Sequence, residues 1–123
     1  SHDGTPSQEG IELARTARRL SPLDPLRYAF DLLEADLSYF AGDVDRARSL
    51  ALDAAHHPGA HHHARAIAAW LLHATEAHDE ARRLAGEVRR ERPGYGFSDY
   101  CAAIPVSGIK RRTVERHFRA LGF

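Results

Sequence analysis

Two stretches of the chain, 45-DRARSLA-51 and 79-DEARRLA-85, repeat Asp, Ala, Arg, Leu and Ala in register at an offset of 34 residues. Carried forward, Ala54 falls over Val88, and the Pro58-Gly59 pair falls within one residue of Pro93-Gly94. Carried backward, Leu13, Ala17 and Leu20 sit under Ala47, Ala51 and Ala54. A fixed period of this length constrains a fold strongly. Each unit is one supersecondary element that cannot bury its apolar face alone and must stack on its neighbours.

The repeated segments read as helices, with apolar positions at three- and four-residue steps. Val44, Ala47, Leu50, Ala51 and Ala54 make one stripe, and Ala81, Leu84, Ala85 and Val88 the next. Between them lie longer, more apolar helices. In 24-DPLRYAFDLLEADLSYFAG-42, Leu26, Phe30, Leu33, Leu37 and Phe40 form one face and Tyr28, Leu32, Ala35 and Tyr39 another. A helix with two apolar faces is sandwiched between neighbours. The segment 61-HHHARAIAAWLLHAT-75 has the same character.

Boundary signals agree with this division. Asp24-Pro25 is an N-cap followed by Pro at the first helical position, and 5-TPSQ-8 reads the same way with Gln8 closing a capping box. Gly42-Asp43 ends one helix and caps the next, while Pro58-Gly59 and Pro93-Gly94 stop the second helix of each pair. No segment alternates like a strand. The expectation is an all-α chain, a stack of antiparallel helical hairpins.

A 34-residue helix–turn–helix unit resembles the tetratricopeptide repeat. On that likeness Ala35 and Ala69 take the small position of the first helix, and Ala47 and Ala81 that of the second, with Ala51 and Ala85 one turn later. The likeness spans about residues 9 to 94. It departs from the pattern where Asp31 and Arg65 replace an aromatic, and where Pro58 comes one residue early. It implies an α-solenoid of about two and a half repeats plus a C-terminal helical cap. The expected division is an arm or tag remnant over 1–8 and one domain over 9–123. Within that domain 9–21 is the second helix of a truncated repeat, 24–58 and 61–93 are full repeats, and 97–123 holds the capping helices. First helices line the inside of such a curve, so the likeness makes Leu32, Asp36, Tyr39, Phe40, Trp70 and His73 the partner-binding face.

The runs 21-SPLDP-25 and 92-RPGYGFSDYCAAIP-105 and the ending 120-ALGF-123 are similar to a narrower group. These are the C-terminal repeat regions of bacterial nucleotide cyclases and winged-helix transcriptional regulators, matched at Phe97-Ser98, Ile104-Pro105 and Leu121-Gly122-Phe123. The implied function is a non-enzymatic protein–protein interaction or dimerisation module of a larger cytoplasmic signalling protein. Its partner would be a protein, a peptide or a second copy. The lack of any Met, and a Ser1-His2 start, suit a piece of a longer protein.

The rival is DNA binding. The segment 107-SGIKRRTVERHFRALGF-123 is superficially similar to the recognition helix of helix-turn-helix activators, with Lys110, Arg111, Arg112 and Arg116 as contacts. A recognition helix needs a preceding positioning helix and a tight turn, and 93-PGYGFSDYCAAIPVSG-108 offers at most a short helix. Seventeen basic residues against seventeen acidic ones also lack the usual basic footprint.

Other chemistry finds little support. Seven of the nine histidines fall between His56 and His78. Most sit at the joint between repeats, where helix ends favour polar caps. The spacing of a zinc pair is met by His57 and His61, which straddle a turn where no helix fixes the geometry. No metal or other cofactor is expected. Cys101 stands before 102-AAIP-105 with no nucleophile motif, and no Gly-rich phosphate loop is present, so neither catalysis nor a small-molecule substrate is expected. One cysteine excludes an internal disulfide, and no apolar run is long enough to span a bilayer.

Overall fold

The computed structural model describes residues 27–57, 60–104 and 106–123. These form six helices: α1 (Arg27–Phe40), α2 (Val44–Ala55), α3 (His62–Ala74), α4 (His78–Glu91), α5 (Phe97–Ala103) and α6 (Gly108–Ala120). Among the described residues there is no strand, and no helix is long and apolar enough to cross a membrane. The chain is all-α, as the periodicity predicts. The expected helix over 9–21, the Asp24-Pro25 cap and the Pro58-Gly59 break lie outside the described residues.

Two hairpins carry the repeat. α1 packs on α2 and α3 on α4, with α2 and α1 also against α3. Ala47, Ala51, Ala81 and Ala85 are fully buried. Small side chains there let helices approach toward the short end of the usual range of about 8–10 Å between axes. Leu50 and Leu84 fill the space between those alanines.

The turns repeat as well. Gly42 has φ +90° and Glu76, which lies 34 positions on, has φ +72°. In each turn the next amide returns to the end of the first helix, Asp43 N–H to Ser38 at 2.9 Å and Ala77 N–H to Leu72 at 2.8 Å. Asp43 also caps α2, its carboxylate accepting from the Arg46 amide. One hairpin thus meets the left-handed requirement with glycine. The other forces a glutamate into it.

Further ties join the helices. Arg46 pairs with the fully buried Glu34, joining α1 to α2, and Arg65 pairs with Glu91, joining α3 to α4. Arg48 on α2 donates to the Thr75 carbonyl at 2.7 Å, satisfying an acceptor at the end of α3.

α3 is buried nearly all round, at Ala64, Ala66, Ala68, Ala69, Trp70, Leu71 and Leu72. Such a helix must be covered on every side. α5 and α6 supply the last cover, lying on α3 through Tyr100, Val114 and Phe118. Arg89 on α4 fastens the chain end by donating to the Leu121 carbonyl at 2.6 Å.

The two turns make opposite predictions. At Gly42 an added Cβ would meet no atom within 4 Å, so Gly42→Ala should destabilise through φ alone, by about 1 kcal/mol. Glu76→Gly relieves the strain and should stabilise by up to about 1 kcal/mol, less the entropy glycine adds to the unfolded chain. Urea denaturation of both variants checks the pair. Equal signs would show that the turns are not equivalent.

Candidate binding groove

The six residues expected on the inner face divide into two groups. Asp36, Tyr39, Phe40, Trp70 and His73 lie along or beneath α6, while Leu32 borders an open groove.

Trp70 organises the first group and has no exposed surface. Tyr39 meets the indole edge-on at 5.7 Å between centroids, Phe40 packs at 6.2 Å, and His117 stacks at 6.4 Å with an interplanar angle of 22°. The indole N–H donates to the Tyr100 hydroxyl at 3.1 Å. Burial pushes the Tyr100 hydroxyl far above the usual tyrosine range, which keeps it protonated. His73 meets His117 Nδ1 to Nδ1 at 2.7 Å, so one ring donates and the other accepts. At the other end of α6, Lys110 pairs with Asp36 and sits 5.7 Å from the centre of the Phe40 ring.

α6 therefore presents two unlike faces. Lys110, Val114, His117 and Phe118 point inward. Arg111, Arg112 and Arg116 are exposed, with Arg111 over the Phe97 ring at 5.4 Å. Of the four residues expected to touch nucleic acid, Lys110 is the one engaged inside the fold.

His57 and His61 both pack on Tyr28, at 5.3 and 5.6 Å between centroids. His61 is the N-cap of α3, its Nδ1 accepting from the Ala64 amide at 3.3 Å. Among the described residues no group of three or more His, Cys, Asp or Glu side chains is arranged to hold a metal ion. Cys101 is a half-buried thiol on α5.

Beside the Trp70 cluster lies a groove of about 380 Å³ between α1, α3 and α5. Tyr28, Leu32 and Leu33 form one wall, Ala64 and Ile67 the floor, and Tyr100 part of the far wall. Leu33 is 43% exposed at the rim. Asp36 also borders the groove. Its Oδ2 takes Lys110, while its Oδ1 is buried with no hydrogen-bond partner among the described residues. Burial pushes the Asp36 carboxyl above its usual range, and Lys110 opposes that shift. The groove brings together aliphatic side chains with the Asp36 carboxyl, the Tyr100 hydroxyl and the His61 and His63 rings.

Tyr28, Leu33, Ile67 and Tyr100 join the site although the sequence does not mark them for it. Leu33 and Ile67 carried a signal, because they are 34 positions apart and share one register on the first helices. His117 carried none, since its partner is 44 residues away.

The His73–His117 contact predicts a pH dependence. Burial, followed by the nearby charges of His73, Arg116 and His78, holds His117 down at about 4. Burial, followed by His78 and Arg82, also lowers His73, with Glu76 opposing. Both rings take up a proton less readily folded than unfolded, so an unfolded chain takes up protons first as pH falls through about 6.5. Stability from this pair is complete above that pH and declines toward pH 4. Partial solvent screening reduces the loss to about 1–2 kcal/mol. Urea titrations at pH 7.5 and 5.0 should show His117→Gln to be less pH-sensitive than the parent. Parallel profiles would mean the rings bear no stability.

No protein-family model, no curated protein and no solved structure matches the chain.

Proposed function

We propose that the chain is a tetratricopeptide-like, non-enzymatic protein-interaction module whose binding surface is the groove between α1, α3 and α5. The groove itself carries the reading. It combines an apolar trough with a rim leucine 43% exposed. Recurrence of the buried alanines and left-handed turns at 34 residues supports the α-solenoid arrangement. Apolar troughs with few fixed polar groups suit the side chains of an extended or helical segment. A place within a larger bacterial signalling or regulatory protein is part of the same proposal.

The rest of the inner face is already filled. α6 lies there as a ligand would, with Lys110 and His117 reaching Asp36 and His73. A partner segment therefore has the α5 side left to it.

Selection of displayed random 12-residue peptides on the full chain tests the reading. Enriched peptides should bind the parent and lose at least about tenfold in affinity against Leu33→Asp, as expected when a charge is placed in an apolar contact. Enriched peptides insensitive to Leu33→Asp would overturn the groove assignment. A mass that doubles with concentration in light scattering, and is restored to monomer by Leu33→Asp, would make the occupant a second copy. Retention of duplex DNA at low salt, abolished by Arg112→Ala with Arg116→Ala, would move the function to the outer face of α6.

A further inference from the structure

We infer that α6 is an acid-released latch: when His73 and His117 both carry a proton, its C-terminal half leaves Trp70 while the two hairpins stay folded. The latch goes beyond the reading of the groove and does not depend on it.

α6 packs chiefly on α3, whereas each hairpin is held by extensive contact between its own two helices. Few polar fasteners hold α6. Lys110 pairs with Asp36 at one end, His117 meets His73 toward the other, and Arg89 donates to the Leu121 carbonyl just beyond. Val114 and Phe118 add buried surface on the same side. An element attached through so small a part of the core opens at lower free energy than the hairpins beneath it. Its opening uncovers Trp70, with Tyr39 and Phe40 beside it.

The histidine pair makes that opening sensitive to acid. The two Nδ1 atoms are 2.7 Å apart, a gap that holds one hydrogen. With both rings protonated, two N–H groups and two positive charges face each other, and the contact is lost. On α4, His78 lies 4.8 Å from His73 between ring centroids, and the Arg82 charge also acts on His73. On α6 itself Arg116 acts on His117. α3 and α5 present uncharged neighbours, the stacked Trp70 indole and the Tyr100 hydroxyl, which burial keeps protonated. Glu76, in the turn before α4, favours charge on His73, but its carboxylate is engaged by His78 at 3.1 Å. On α1, Asp36 is held by Lys110. His117 Nε2 is buried with no hydrogen-bond partner among the described residues, so a charge there is poorly solvated.

In the released helix both rings reach water and take up protons near pH 6.5. In the closed one, burial and then His73, Arg116 and His78 hold His117 down at about 4. Acid therefore favours release. Between pH 7.5 and 5.0 full linkage through His117 amounts to about thirtyfold, and solvent at this half-buried ring reduces it to about tenfold.

Amide hydrogen exchange on the full chain at pH 7.5 and 5.0 reads the opening helix by helix. Protection factors, corrected for intrinsic exchange, should fall about tenfold in α6 and stay within about twofold in α2 and α4. An equal fall in all three helices would reduce the pair to a global stability effect and overturn the latch, as would no fall in α6. His117→Gln should remove most of the fall and His73→Gln part of it. A full fall in both variants would take the response away from these rings. Asp36 is a second acid-sensitive group, because burial raises its carboxyl. Lys110→Gln removes that fastener, and should lower α6 protection at both pH values while keeping the tenfold fall. A fall that vanishes with Lys110→Gln belongs to Asp36 and would overturn the inference. Protection of α2 and α4 in the same samples shows that each variant is folded.

Discussion

The indole of Trp70 is fully buried, yet it carries one N–H that must find an acceptor inside the protein. The packing around it follows from that demand. The ring is too large for the alanine-lined helices of the two hairpins to cover alone. α1 contributes Tyr39 and Phe40, α5 contributes the Tyr100 hydroxyl, and α6 contributes the His117 ring. A buried aromatic of this size removes roughly 150–250 Å² from water. That is enough to hold the C-terminal helices against α3, which no local helix signal would do.

Once α6 is there, the side of α1 and α3 that it covers has two halves. The half toward α6 is filled and polar, with an ion pair at one end and a shared proton between two histidines at the other. The half toward α5 is apolar and open. Ion pairs away from water gain little net stability, because desolvation offsets much of the attraction. Lys110–Asp36 is better understood as fixing where α6 lies, while Val114 and Phe118, both fully buried, supply the adhesion. The division follows α5, whose seven residues reach Trp70 through Tyr100 but leave the wall of α1 uncovered at Leu33.

The hairpins were legible in the sequence because their signal is local and repeated. Ala47 and Ala81, Ala51 and Ala85, and Leu50 and Leu84 lie on stripes that a period of 3.6 reveals, and the offset of 34 confirms the register. The same register placed Asp36, Trp70 and His73 on one face, and all three meet α6 there or lie beneath it. What covers that face was not legible. Asp36 and Lys110 are 74 residues apart and His73 and His117 are 44 apart, so no window of the sequence holds both members. The basic residues of 110–119 look alike in composition. Only packing separates Lys110, turned inward, from Arg112 and Arg116, turned outward.

The offset of 34 also explains why α6 carries the residues it does. Asp36 and Trp70 occupy equivalent positions on successive first helices, as do Tyr39 and His73. A helix lying across both must answer a carboxylate on one and an indole with an imidazole on the other. Lys110 and His117 are seven positions apart, two turns and roughly 10 Å along the axis. Packed helices lie about 8–10 Å apart. The spacing within α6 thus matches the spacing between the two helices it crosses, and Val114 falls midway between the polar ends, fully buried. A repeat with the same residue at both positions would need the same side chain twice. Divergence of the two repeats to Asp and Trp gives α6 one register in which both ends are satisfied. A one-residue slide would separate Lys110 from Asp36 and His117 from His73 together.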